Sequence, residues 1–179
     1  MYVAAKDERA LFDGVGRNIK NEDVSTFKSG YAIVKLTNFK TDGSAGHDAT
    51  FADTDYFLLR VAEAYLTFAE ADARLNGGNT TSEGTQAVNS IRSRAHASTR
   101  TNAYSLDDIC DEWSREFYFE GRRRMDLIRF NRYGGNNNYT WQWKGGSYEG
   151  RSFDAHLNIF AIPTNELTAN SNLTQNPGY

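Results

Sequence analysis

Leu59-Arg60-Val61-Ala62-Glu63-Ala64-Tyr65-Leu66-Thr67-Phe68-Ala69-Glu70-Ala71 decides the fold class. Leu58, Val61, Ala62, Tyr65, Ala69 and Ala73 recur at steps of three and four, the spacing of one buried helical stripe. Leu59, Leu66 and Phe68 widen that stripe, and five alanines between 62 and 73 permit close helix packing. The pattern predicts a helix from about Tyr56 to Leu75, opened by Asp55 as N-cap and stopped by Asn76-Gly77-Gly78-Asn79.

Three further helices follow from the same reading. One runs from about Ser82 to His96 with Ala87, Val88, Ile91 and Ala95 inward. The short glycine-rich link folds the first two into a helical hairpin, the unit of a tetratricopeptide-like array. Ser105 opens the third helix, with Asp108 at the acid position of a capping box and Leu106, Ile109, Cys110, Trp113 and Phe117 at helical spacing. Gly121 is expected to end or bend it. The fourth, about Arg122 to Asn131, is expected to turn Met125, Leu127 and Ile128 inward. The two hairpins start too far apart for a regular tetratricopeptide period, and two are fewer than such stacks use.

The helical block, 56–131, is flanked by irregular sequence. Residues 1–55 are polar and glycine-punctuated, with weak strand character only at Tyr31–Leu36. They are expected to lie over another surface. In the tail, 132–179, Tyr139–Lys144 reads as a short strand with Trp141 and Trp143 on one face. Pro163 holds Phe160–Ile162 extended, and Thr164–Leu167 reads as one helical turn.

Of the 179 residues 39% are hydrophobic and 24% charged, and the formal net charge is −3, a globular composition that argues against nucleic acid as a partner. No apolar run approaches the roughly 20 residues of a membrane span. Residues 1–8 carry no apolar signal-peptide core. Cys110 is the lone cysteine, which leaves no intrachain disulfide and reads as a buried free thiol.

Glu116 and Glu120, four apart on one helix face, are the pair with the spacing for acid–base catalysis of glycoside hydrolysis. The favoured reading is structural, with Arg115, Arg122–Arg124 and Arg129 near in sequence to brace them. Glu63 and Glu70 share a helix face and, if buried, need partners, which Arg92 or Arg94 on the next helix can supply. Asp42, Asp48, Asp53, Asp55 and His47 form a loose acidic loop without calcium-loop spacing, and the histidines lack zinc spacing. No metal, cofactor or catalytic residue is therefore assigned. Tyr139, Trp141, Trp143 and Tyr148 are the candidate ligand-binding rings, since the apolar face of a sugar buries well on an aromatic; packing of the tail is the competing reading.

Four stretches, in order, resemble the C-terminal part of the SusD/RagB family: Leu59–Ala71, Asn89-Ser90-Ile91-Arg92-Ser93-Arg94-Ala95, Glu116–Phe130, and the closing Gln175-Asn176-Pro177-Gly178-Tyr179. Glu112, Glu116, Phe117, Glu120, Gly121, Arg123, Asp126, Leu127 and Arg129 fit the family's motif. Trp113 stands where arginine is usual, so one ion pair is expected to be absent. Phe160-Ala161-Ile162-Pro163 resembles the family's Phe-Pro-Ile-Pro with Ala161 in place of a proline. The resemblance implies a mainly α, SusD-like protein of several hundred residues, with this chain as its C-terminal portion and an N-terminal part missing. It implies a Bacteroidetes-type surface lipoprotein, anchored through an N-terminal cysteine at the outer membrane. Such a protein captures oligosaccharides without catalysis for a SusC-like TonB-dependent transporter. The matched motifs imply scaffold and carry over no binding residue. The alternative is a stand-alone helical module that binds a protein segment.

Overall fold

A computed structural model of the chain describes residues 7–135 and 139–179. Regular structure among the described residues is mainly helical: α1 (Val61–Leu75), α2 (Ser82–Arg94), α3 (Leu106–Phe117), α4 (Arg123–Arg129) and α5 (Thr164–Ala169). Strand among the described residues is confined to β1 (Phe12–Asp13) and β2 (Ala32–Ile33), which pair antiparallel with Phe12 opposite Ile33. Two compact units divide at Gly121; the second is Arg122–Tyr179.

In the first unit α1 packs on both α2 and α3. The core is Ala62, Leu66, Ala69 and Ala73 from α1, Val88 and Ile91 from α2, and Ile109, Cys110, Trp113 and Phe117 from α3. The alanines of α1 let the helix axes approach closely. The α2 stripe lies where its spacing placed it, with Ala87, Val88, Ile91 and Ala95 all buried. Ser105 and Asp108 form the expected capping box at the start of α3. Asp72 of α1 accepts from both the N–H and the hydroxyl of Thr81 at the start of α2, and Gly84 leaves the room, since a Cβ there would lie 2.1 Å from an Asp72 carboxylate oxygen. The two interhelical links meet as well: Thr80 N–H donates to Tyr104 O and Leu106 N–H to Gly78 O, both at 2.9 Å.

Several details differ from the sequence-based expectation. The first helix begins at Val61 with Arg60 as N-cap, so Asp55 caps nothing and 56–60 are extended or bent. Arg60 keeps β-region backbone angles, and its guanidinium is committed to the acidic cluster described below. The inward face of α1 is Ala62-Leu66-Ala69-Glu70-Ala73, whereas Leu58, Leu59, Val61, Tyr65 and Phe68 are exposed. The third helix stops at Phe117, four residues before Gly121, through Tyr118 in extended geometry and Phe119 at a φ of 62°. In α4, Leu127 is buried but Met125 is 61% exposed.

The second unit is held by polar anchors. Arg124 lies over the rings of Tyr133 and Phe160 and donates to Leu157 O. Asn158 and Gly134 exchange two hydrogen bonds. The closing motif fastens the chain end: the Gln175 amide pairs with both the N–H and the carbonyl of Ile162, at 2.8 and 2.9 Å. Asn176 donates to Phe160 O and Tyr179 to Ile159 O, so the last residues zip onto the extended 159–162 segment.

The Tyr139–Lys144 segment is not a strand. It wraps Lys144, which is 1% exposed. The Lys144 ammonium donates to Tyr133 O and Tyr139 O and sits 4.6 Å from the Trp141 ring centroid and 4.8 Å from that of Phe153. Trp143 turns the chain at a φ of 67° into a 3-10 helix, Lys144–Gly146. Replacement Lys144→Met strands two carbonyls, so urea unfolding is expected to show a loss of about 2–4 kcal/mol, whereas exposed Gln142→Ala stays within about 0.5 kcal/mol of wild type. An unaltered Lys144→Met stability would contradict the caged-lysine account.

Candidate functional site

The densest group of charges lies on one face of α3 and the turn after it. Glu112, Glu116 and Glu120 are spaced four apart, and their side chains are 0, 2 and 8% exposed. Buried carboxylates need compensating cations, and these come from far along the chain. Arg60 donates to Glu116 at 2.7 Å and grips both Glu120 oxygens at 2.9 Å. Arg94 pairs with Glu116, Arg92 and Arg115 with Glu112, and Arg9 with both Glu112 and Glu116. Lys35 pairs with Glu120 and donates to the carbonyls of Glu116 and Tyr118. Lys35 and Arg60 thus place positive charge at the C-terminal end of α3, where the helix dipole favours it. The Arg60 guanidinium also stacks 4.2 Å from the Phe117 ring centroid.

The arrangement reassigns two sets of partners. Arg92 and Arg94 serve Glu112 and Glu116, not Glu63 and Glu70. Glu70 accepts instead from Arg74, one turn on, and from the Trp113 indole N–H at 3.0 Å; Glu63 sits half-buried in the first turn of α1. Trp113 thus acts as a neutral donor to a buried carboxylate. Glu116 and Glu120 are held by Arg9, Lys35, Arg60 and Arg94 rather than by their neighbours in sequence. Local spacing carried no sign of these long-range partners. In the second unit Asp126, 1% exposed, pairs with Arg129 and Arg122, and Arg123 donates to the Tyr139 hydroxyl. Gly121 turns at a φ of 71°, beside Tyr56, whose hydroxyl donates to Glu120 O.

The electrostatics bear directly on catalysis. Burial works to raise the Glu116 pKa, but hydrogen bonds and charge from Arg60 and Arg94 outweigh it and hold the carboxyl below its ordinary value. Glu120 behaves alike, with burial opposed by Arg60 and Lys35. A general acid at neutral pH needs the opposite shift. A cavity of about 230 Å³ lies beside these groups, lined in part by Leu36 and Phe57. No group of three His, Cys, Asp or Glu side chains among the described residues is placed to hold a metal ion. Asp42 and Asp48 accept from backbone N–H groups of their own turns, and Asp53 accepts from His47 N–H.

The four candidate rings do not form one face. Trp141 meets Tyr139 edge-on with centroids 6.1 Å apart, while Trp143 meets Tyr148 edge-on at 5.7 Å. Trp141 is the most open of the four, at 38% exposure. Its backbone is fixed by Gly150, where a Cβ would lie 2.2 Å from Trp141 O. Lys144 and Phe153, which organise the cluster, escaped the reading from sequence; a lysine beside two tryptophans was the available signal.

The SusD family model matches residues 14–179. The chain belongs to the SusD family. The Starch-binding protein SusD of Bacteroides thetaiotaomicron is 43% identical over 183 residues, spanning all of this chain and 32% of that protein. Among solved structures, a SusD superfamily protein from Bacteroides vulgatus is 27% identical with a TM-score of 0.66, over 98% of this chain and 36% of that one. Surface glycan-binding protein A from Bacteroides uniformis is 25% identical with a TM-score of 0.62, over 97% and 38%. The chain spans about a third of the length of these relatives.

Replacing Glu116 with Gln leaves Arg9, Arg60 and Arg94 facing a neutral group, and urea unfolding is expected to show a loss of about 3 kcal/mol. Arg74→Ala, which breaks a more exposed pair, is expected to lose under about 1 kcal/mol of ion pairing. The pH dependence has a definite sign. Glu116 and Glu120 titrate below their ordinary 4.5 when folded, so their contribution is full above that value and is lost as pH falls through the lowered pKa values. A midpoint that stays flat from about pH 6 to pH 3 would contradict this.

Proposed function

We propose that this chain is the scaffold portion of a non-catalytic glycan-capture protein on the bacterial cell surface. The observation that carries the reading is 43% identity, across the whole chain, to a relative named as a starch-binding protein. Ligand capture would rest on ring stacking and hydroxyl hydrogen bonds, with the glycan passed to a SusC-like TonB-dependent transporter and the protein held by a lipid anchor at the outer membrane. Within this chain Trp141 offers the most open of the candidate rings to a sugar. The non-catalytic part is supported by the acidic pair: both carboxyls are held ionised by Arg60 and its companions, which leaves no proton donor between them.

The test uses the complete gene product that contains these residues, in affinity electrophoresis and calorimetry with starch-derived and cellulose-derived oligosaccharides. Binding of a glucan without release of reducing ends is expected. Trp141→Ala is expected to weaken binding about three- to tenfold, the loss of one stacking ring. Turnover of the bound glycan, or no affinity for any oligosaccharide, would overturn the proposal.

A further inference from the structure

The acidic cluster on α3 is over-compensated. Its carboxylates are Asp7, Glu112, Glu116 and Glu120, and they meet Arg9, Lys35, Arg60, Arg92, Arg94 and Arg115. Glu8, the next acid in the lead-in, turns instead to His96. Cations are therefore in excess, and the excess is not evenly spread. Lys35 places all three of its ammonium donors, on Glu120 and on the carbonyls of Glu116 and Tyr118. Arg9 is divided among Asp7, Glu112 and Glu116. Arg60 makes hydrogen bonds to both Glu116 and Glu120 through all three of its nitrogens.

Arg94 is different. Among the described residues it spends a single N–H, on Glu116, and its side chain is 57% exposed. Glu116 does not depend on it, since Arg60 and Arg9 already reach both of its carboxylate oxygens. A guanidinium carries five N–H donors in a planar fork, so most of the Arg94 fork stays open to a ligand. Arg94 also lines the cavity of about 230 Å³ beside the cluster, with Arg9, Lys35 and Arg60 as the other cations of the wall and Glu116 and Glu120 as its acids. Leu36 and Phe57 supply the apolar wall. Positive potential in a partly enclosed cavity is screened less than on an open surface. The fork matches a carboxylate in bidentate fashion, and an apolar wall beside it suits the hydrocarbon body of the same molecule. A bare inorganic ion would leave Leu36 and Phe57 unused.

We propose that this cavity binds a small organic carboxylate, its anionic end on the Arg94 fork and its apolar body against Phe57 and Leu36. The two wall carboxylates are already taken up by Arg9, Lys35 and Arg60, so the charge of the ligand is met by Arg94. This inference stands apart from the glycan reading. It concerns another unit of the chain than Trp141, and its probe is not a sugar, so its failure would leave that reading standing.

Fluorine NMR with para-fluorobenzoate, and para-fluorobenzamide as its neutral match, tests the proposal in the complete gene product that contains these residues. The benzoate is expected to bind with a Kd of about 1 mM and the benzamide at least about tenfold more weakly. Arg94→Gln is expected to abolish the preference. Its urea midpoint is expected to stay near that of wild type, because Arg9 and Arg60 still hold Glu116. Arg94→Lys keeps the charge but not the fork, and is expected to fall between the two whatever the stability of Arg94→Gln. Equal affinity for the two probes, or benzoate binding untouched by both variants, would overturn the proposal. So would sulfate that competes as well as unlabelled benzoate, which would leave a patch of positive charge without a place for an organic body.

Discussion

Three glutamates with nearly covered side chains, on one side of α3 and its following turn, set the terms for the first unit. Glu112, Glu116 and Glu120 cannot be left in the interior as bare charges, so the chain must return cations to them. Arg9 and Lys35 come from the loop-rich lead-in, Arg60 from the start of α1, and Arg92 and Arg94 from the end of α2. Each cation fastens its own segment. The two-residue ladder between β1 and β2 is too short to hold the lead-in by itself. Its fixed points are instead Arg9, Lys35 and the Tyr118 hydroxyl, which donates to Arg9 O.

The same constraint decides what the acidic pair can do. Two carboxylates four residues apart match the geometry of a hydrolase, and spacing by itself does not separate that role from a brace. Guanidinium nitrogens at 2.7–2.9 Å favour the brace, because they hold both carboxyls below their ordinary pKa. The motif by which the chain resembles its family is thus built around charge compensation. Motif and ligand site need not coincide, which fits a chain that spans about a third of its relatives.

Local features were legible in the sequence. The capping box at Ser105, the α2 stripe and the buried thiol of Cys110 each follow from a few neighbouring residues. The start of α1 was not, because the apolar residues 57–59 continue the helical pattern although Arg60 is drawn into the acidic cluster with extended backbone. The partners of the glutamates were hidden for a related reason: a charge 56 residues away leaves no periodic trace. In the tail, alternating tryptophans imitate a strand, yet the chain curls around Lys144 and its carbonyl acceptors. Of the candidate rings, only the identity of the aromatics was readable; their split into two edge-on pairs depends on that buried ammonium.

The measurement that tests the central claim most directly is a double-mutant cycle on Arg60 and Glu116, using Arg60→Met, Glu116→Gln and the pair, each followed by urea unfolding. If the buried ion cluster organises the unit, the two changes couple by about 2 kcal/mol or more, since removal of either partner strands the other. Simple additivity, with coupling under about 0.5 kcal/mol, would contradict it.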